Sequence, residues 1–307
     1  MDRTTLGQVA RWYYEAEMSQ SAISVRLGVS RSTVSRLLGE ARRTGVLQII
    51  VREDMTDRHA DLARGIESRF GLEKVLVAES SGDSTIQSVG LIAAREVERR
   101  IHPGGTLAIS YGVAVHATVA ALRTRQVESM TAVQIAAVEG VRNPVVDGWE
   151  LVRLCASRFG ARYHYLPGPL MANSSELKTQ LLQEAGVESC LRYARQADVA
   201  IVGVGSMDPR YSSLVRAGHL TPVELKAHED AGSVGYIAAQ HYDRSGRPLD
   251  SLNRLTMSLD LRTIKSLPCV VAVATGTHKV NSLKGALAGG YITILVTDSH
   301  TAIDLIR

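Results

Sequence analysis

Cysteine is scarce: the 307 residues hold only Cys155, Cys190 and Cys269, far apart in the chain. No CxxC pair and no histidine at ligand spacing accompanies them, which speaks against a disulfide framework or a zinc site and leaves reduced thiols as the simplest reading. Long apolar runs are missing as well. No segment sustains the roughly 18 apolar residues a membrane span needs, and the start, MDRTTLGQVARWYY, lacks the apolar stretch that follows a basic leader. A cytoplasmic protein with no membrane partner is expected. Net charge is modest too, +4 with a pI near 9.0. That sum points only weakly to a nucleic-acid partner, because many enzymes are as basic. With 45% hydrophobic and 21% charged residues, the composition excludes a disordered or fibrous chain. The length suits one large domain with a small appendage, or two mid-sized domains.

The position of the charge says more than its sum. Between Gln20 and Arg52 stand six arginines (Arg26, Arg31, Arg36, Arg42, Arg43 and Arg52) against one acid, Glu40. In the same region Leu6, Val9, Ala10 and Tyr13 repeat at helical spacing, and Ala22, Ile23, Val25 and Leu27 form a second apolar set ending at Gly28. A glycine there can take the left-handed conformation that stops a helix. Ser30 is a good N-cap, and Val34, Leu37, Leu38 and Ala41 carry a third helix from it. Two short helices joined at Gly28, with Leu27 and Val29 set to pack on Val34 and Leu37, make a helix-turn-helix. Ser24 stands where the close helix approach favours alanine, and serine is nearly as small.

The third helix then exposes Arg31, Ser32, Thr33, Ser35 and Arg36 near its N-terminal end, after the capping Ser30. Arginine can pair bidentately with guanine, and serine or threonine can bond base edges or phosphates. Arg42 and Arg43 would reach the phosphate backbone of double-stranded DNA. An ordinary solvated basic helix is the competing reading; the turn glycine, cap and packing residues in one register favour DNA. Gly45 to Val51 reads as a short strand, as in winged versions of the motif, and Arg52 to Arg58 as a charged connector. The expected division is a DNA-binding domain over 1–54, a linker over 55–61 and a large domain over 62–307.

From Glu73 on, the runs KVLVAES, TLAISYG, AVQIAAV, ADVAIVGVG, CVVAVATG and YITILVTD alternate with helical patterns such as VGLIAAREVERRI and VHATVAAL. Apolar runs without alternation, spaced by helices, predict an α/β class with a doubly wound parallel sheet. Ligands in such sheets sit beyond the carboxyl ends of the strands. Three loops there join glycine to a small hydroxyl: Ser110-Tyr111-Gly112, Gly203 to Ser206, and Thr275-Gly276-Thr277-His278-Lys279. A phosphate or a polyol would suit them, although a tight turn needs glycine in any case. Lys279 differs in kind, since a cation at a helix start is unfavourable unless a bound anion offsets it. No cofactor is called for.

At this point the chain resembles the SorC/DeoR-type sugar-binding transcriptional regulators over nearly its whole length. The resemblance rests on LGVSRSTVSRLLGEARRTGV, LAISYG, DGWELVR with YLPGPLMANSSE, ADVAIVGVGSMDP, VGYIAAQHYDRSG and LKGALAGGYITILVTDSHTAIDLI, in that order. It implies a large domain similar in fold to sugar-phosphate isomerases, a sugar or phosphosugar effector that alters operator binding, and a homodimer or homotetramer. It also implies an effector pocket at Tyr111 and Gly112, Pro167 to Asn173, Gly205 with Ser206, and Gly276, Thr277 and Lys279, with Lys279 on the phosphate. Two departures stand out: Tyr236 where the family often has an acid, and Ala114 near a family threonine. Asp243 or Glu139 could supply a carboxylate instead.

The rival reading is a sugar-phosphate isomerase or deaminase with an appended DNA-binding domain. It needs a tuned general base. The missing acid at Tyr236 counts against it, and His278 and His116 are the remaining candidates. A ligand-free oligomerisation module would make the glycine and hydroxyl loops accidental.

Overall fold

The computed structural model describes residues 3–14, 16, 18–44, 46–47, 59–137 and 148–307. The chain divides into two compact units, Met1–Thr56 and Asp57–Arg307.

In the first unit α1 (Arg3–Tyr14), α2 (Gln20–Leu27) and α3 (Arg31–Arg43) share one small core. Leu6 and Val9 of α1, Ile23 of α2, and Val34, Leu37, Leu38 and Ala41 of α3 are buried together. Gly28 ends α2 at φ 66°, ψ 31°, where its left-handed backbone lets the amides of Gly28 and Val29 reach back to the carbonyls of Val25 and Ser24. Ser30 accepts the Thr33 amide at 3.1 Å and opens α3 two residues later. The strand expected over 45–51 and the connector over 52–58 fall largely outside the described residues.

The second unit opens with α4 (Ala60–Phe70), so its first turn begins inside the stretch expected to be linker. Seven parallel strands follow: β1 (Lys74–Ala78), β2 (Thr106–Ile109), β3 (Thr131–Gln134), β4 (Arg162–His164), β5 (Val199–Gly203), β8 (Val270–Val273) and β9 (Ile294–Asp298). Their order is β1-β9-β8-β5-β2-β3-β4. An antiparallel hairpin, β6 (Gly235–Ile237) and β7 (Gln240–Tyr242), stands apart from the sheet.

Alternate residues of the central strands feed two cores, as the pleat requires. Leu107, Ile109, Val199, Ile201, Val271 and Val273 face one layer, built on α5 (Thr85–Arg100), α6 (Val113–Ala121) and the helix Gly148–Phe159. Ala108, Ala200, Val202, Val270 and Ala272 face the other, with α4 and the helices Ala185–Arg195, Val280–Ala288 and Ser299–Ile306. Both faces of the sheet are covered, which is why these strands read as unbroken apolar runs. The path leaves β2 over the first layer toward β3, and leaves β5 over the second toward β8. The winding therefore reverses between β2 and β5, and a crevice opens beyond their carboxyl ends. Among the described residues no helix is long and apolar enough to cross a membrane.

Candidate functional site

In the first unit, burial of Val34, Leu37, Leu38 and Ala41 turns Arg31, Ser32, Ser35, Arg36, Arg42 and Arg43 outward. Arg31 and Arg36 form no ion pair among the described residues. The other expected contacts are partly committed. Ser30 Oγ holds the Thr33 amide and lies 2.8 and 2.9 Å from the hydroxyls of Ser32 and Thr33, so the cap organises that turn first. Arg42 bonds the Tyr14 hydroxyl, and Arg43 is held by Glu40, its Nε at 3.1 Å. Ser24 Oγ donates to the Ser21 carbonyl at 2.8 Å, which absorbs the polar group this tight turn carries.

In the second unit the crevice between β2 and β5 is a cavity of about 230 Å³. One side comes from Tyr111, Gly112, Val113 and Ala114, leading into α6; the floor from Gly203, Val204 and Gly205; the far side from Thr275, His278 and Lys279. Three segments remote in sequence complete it: Ile86 at the start of α5, Tyr211 to Arg216 around the helix Ser213–Ala217, and Tyr236 with Ala238 from the hairpin. Sequence reasoning missed Ile86, Val113, Tyr211, Ser213, Arg216 and Ala238. Ala238 and Ala239 form a two-residue hairpin loop at φ 50° and 62°, positions where asparagine or glycine would sit more comfortably, so the alanines gave no turn signal.

Lys279 precedes the helix Val280–Ala288 at the end of a short 3-10 turn, Thr277–Lys279. Burial, and then the nearby Arg216 guanidinium, bring its ammonium down to about 8. Among the described residues no carboxylate pairs with Lys279 or Arg216. His278 stacks on Tyr211 with ring centroids 3.8 Å apart, and burial followed by the Lys279 charge lowers its pKa. The Tyr111 hydroxyl is buried at the wall beside Ser213 without a well-formed hydrogen bond, and burial drives its pKa well up against a smaller opposing effect of Ser213.

Several expected contacts are placed elsewhere. Ser110 and Ser206 do not line the cavity: Ser110 Oγ accepts the Gly203 amide at 3.2 Å, and Ser206 Oγ donates to the His278 carbonyl at 3.2 Å, so both hydroxyls tie loops together. Gly276 gives its amide to Asp298 at 3.0 Å and Thr301 at 2.9 Å, and Thr277 is exposed. Pro167 and Asn173 are absent from the wall, because their segment is laid against 255–257, with Ala172 N on the Leu255 carbonyl and Met257 N on that of Leu170. Asp243 spends its carboxylate on Ser245 and Arg247 in its own turn; these bonds outweigh burial and hold it at about 2. His116 is off the wall as well, and Glu139 lies outside the described residues. Among the described residues no cluster of His, Cys, Asp or Glu is placed to hold a metal.

Such a site can hold a small anion at its Lys279 end. The Sugar-bind family of sugar-binding domains matches residues 55–307. The chain is 28% identical over 306 residues to the deoxyribonucleoside regulator of Bacillus subtilis (strain 168), covering 98% of this chain and 96% of that one. It is 28% identical over 309 residues to the sorbitol operon regulator of Klebsiella pneumoniae, covering 98% and 96%. It is 29% identical over 310 residues to the transcriptional regulator LsrR of Escherichia coli (strain K12), covering 98% and 94%. The crystal structure of the full-length Klebsiella pneumoniae sorbitol operon regulator superposes with a TM-score of 0.77 at 28% identity, covering 100% of this chain and 99% of that one.

Proposed function

The chain belongs to the SorC/DeoR-type family of sugar-binding transcriptional regulators, and from that premise we propose that it binds operator DNA under the control of a small phosphosugar. Residues 1–54 carry the DNA contact, 55–61 the connection, and 62–307 the effector site and the contacts of a homo-oligomer. One observation carries the reading: Lys279 and Arg216, with no carboxylate partner among the described residues, share a cavity at the winding reversal of the sheet. The exposed α3 face supports the DNA half. Arg31 and Arg36 reach base edges, Ser32, Thr33 and Ser35 bond bases or phosphates, and Arg42 and Arg43 meet the backbone once Tyr14 and Glu40 release them.

Two recognition helices in a dimer would meet half-sites about one DNA turn apart. The effector acts by favouring one arrangement of subunits over another, since a ligand shifts an equilibrium only through its differential affinity. We propose binding rather than catalysis, supported by the names of the relatives and by the stacking of the cavity-wall histidine His278 on Tyr211. A cytoplasmic site of action goes with operator DNA.

The test is fluorescence anisotropy of the purified full chain on labelled DNA from upstream of its own gene, with phosphosugars added. Salt-dependent binding that a phosphosugar changes tenfold or more is expected. Binding equal to that on random DNA, or indifferent to every phosphosugar, would refute the reading.

A further inference from the structure

The cavity wall is informative for the groups it lacks. Among the described residues lining it there is no aspartate, glutamate, asparagine or glutamine, the side chains whose carboxylate or amide oxygens accept from sugar hydroxyls. The Tyr236 hydroxyl is turned to Ser212 Oγ at 2.9 Å and Ser213 Oγ at 3.1 Å, so the ring offers the cavity only carbon. Ile86, Ala114, Val204 and Ala238 add to that apolar wall. Each ligand hydroxyl buried against these carbon groups would lose water without gaining a partner, which is unfavourable; the side-chain hydroxyls elsewhere on the wall, at Tyr111, Tyr211, Ser213 and Thr275, can meet only a few ligand oxygens.

Lys279 and Arg216 mark the opposite chemistry. Two cations without a carboxylate suit a group carrying close to two negative charges, as a phosphate monoester does near neutral pH. The volume, about 230 Å³, falls below the roughly 300–1,000 Å³ of ordinary small-molecule sites. We propose that the effector is a phosphate monoester on a triose- or tetrose-sized frame with few hydroxyls, anchored by Lys279 and Arg216. Tyr236 is the residue that excludes larger, hydroxyl-rich sugar phosphates. This rests on the effector-site reading above and narrows it.

The experiment is isothermal titration of the full chain with dihydroxyacetone phosphate, glycerol 3-phosphate, glucose 6-phosphate, glycerol and glucose, alongside anisotropy on its upstream DNA. The triose phosphates should bind at least tenfold tighter than glucose 6-phosphate, with no heat from the free polyols. Lys279→Ala should lose both phosphates, Tyr236→Phe should keep the preference, and Tyr236→Asn should narrow it. Equal or tighter binding of glucose 6-phosphate, binding of free glucose or glycerol, or no binding of any probe overturns the proposal. DNA binding that survives alongside a hexose preference leaves the regulator reading standing. A triose preference without DNA binding does the reverse.

Discussion

The Tyr236 ring occupies the space a side chain at position 205 would need: a Cβ on Gly205 would fall 2.0 Å from Tyr236 Cε2. The two residues are also joined through the backbone, Gly205 N donating to the Tyr236 carbonyl at 2.8 Å. Gly205 thus serves the cavity by letting the hairpin close over the end of β5. Gly205→Ala should destabilise the protein by about 1–3 kcal/mol, the usual cost of overpacking, and should loosen effector selectivity by displacing the ring. Urea denaturation and the sugar-phosphate titration read the two effects. A variant with unchanged midpoint and unchanged selectivity would show that the ring is free to move.

Arg31→Ala and Arg36→Ala, on the exposed face of α3, should each weaken specific operator binding by about 1–3 kcal/mol if the lost contact is to a base. Neither arginine is part of the buried α1–α3 core, so thermal stability should hardly change. Equal losses on operator and random DNA would reassign the arginine to a phosphate. No loss on either would remove it from the interface.

The sheet was legible because its central strands are buried on both faces: all six apolar runs became strands, and Ala108 and Leu107 show how neighbours serve opposite layers. β4 was not legible, since Arg162 and Tyr163 sit exposed at the sheet edge and carry no apolar signature. The recognition helix was readable because cap, turn and core lie within twenty consecutive residues. The candidate effector site was readable only at strand ends. Ser110 and Ser206 looked like ligand groups, yet a small hydroxyl beside glycine serves equally well to satisfy a neighbouring loop, and here it does. Arg216 and Ile86 reach the cavity from segments far from any motif, so only the fold could bring them in.

Tyr111→Phe offers a test with two opposite signs. The hydroxyl is buried without a completed hydrogen bond, and deleting an unsatisfied group should leave the unliganded protein as stable or more stable, by up to about 1 kcal/mol. If a ligand oxygen satisfies that hydroxyl, the same change should weaken effector binding about tenfold. A loss of stability without a loss of affinity would mean that the hydroxyl serves the fold instead.

Lys279 is expected to set a pH limit on effector binding. Its ammonium is brought down to about 8 by burial and by Arg216, with His278 beside it also held low. A phosphate monoester gains its second charge above about pH 6. Affinity for a phosphorylated effector should therefore be highest between these values and fall as pH rises through 8 and the lysine loses its proton. Titrations at pH 7 and pH 9 should differ by up to about tenfold in the native protein and far less in Lys279→Arg, whose guanidinium stays charged. Parallel profiles would show that Lys279 does not meet the anion.

A buried histidine pair gives the stability of the large unit its own pH dependence. His241 Nε2 lies 3.2 Å from His228 Nδ1, and its Nδ1 lies 2.9 Å from Ser233 Oγ. Burial, then the neighbouring His228, bring the His241 pKa down to about 3, against about 6.5 in an unfolded chain. Folded His241 stays neutral while the unfolded chain takes up a proton. Its contribution is thus fully present above about pH 6.5 and is lost as pH falls toward 3, at a slope approaching 1.4 kcal/mol per pH unit, an order-of-magnitude figure. Glu224, which acts on His228 in the opposite sense, moderates the partner. His241→Gln removes the titration, so the drop in urea midpoint between pH 7 and pH 5 should be clearly smaller in the variant than in the native protein. Carboxylates such as Asp243 titrate below that window and cancel in the comparison. Equal drops in the two proteins would place the acid sensitivity elsewhere and show that His241 is reached by water before the fold opens.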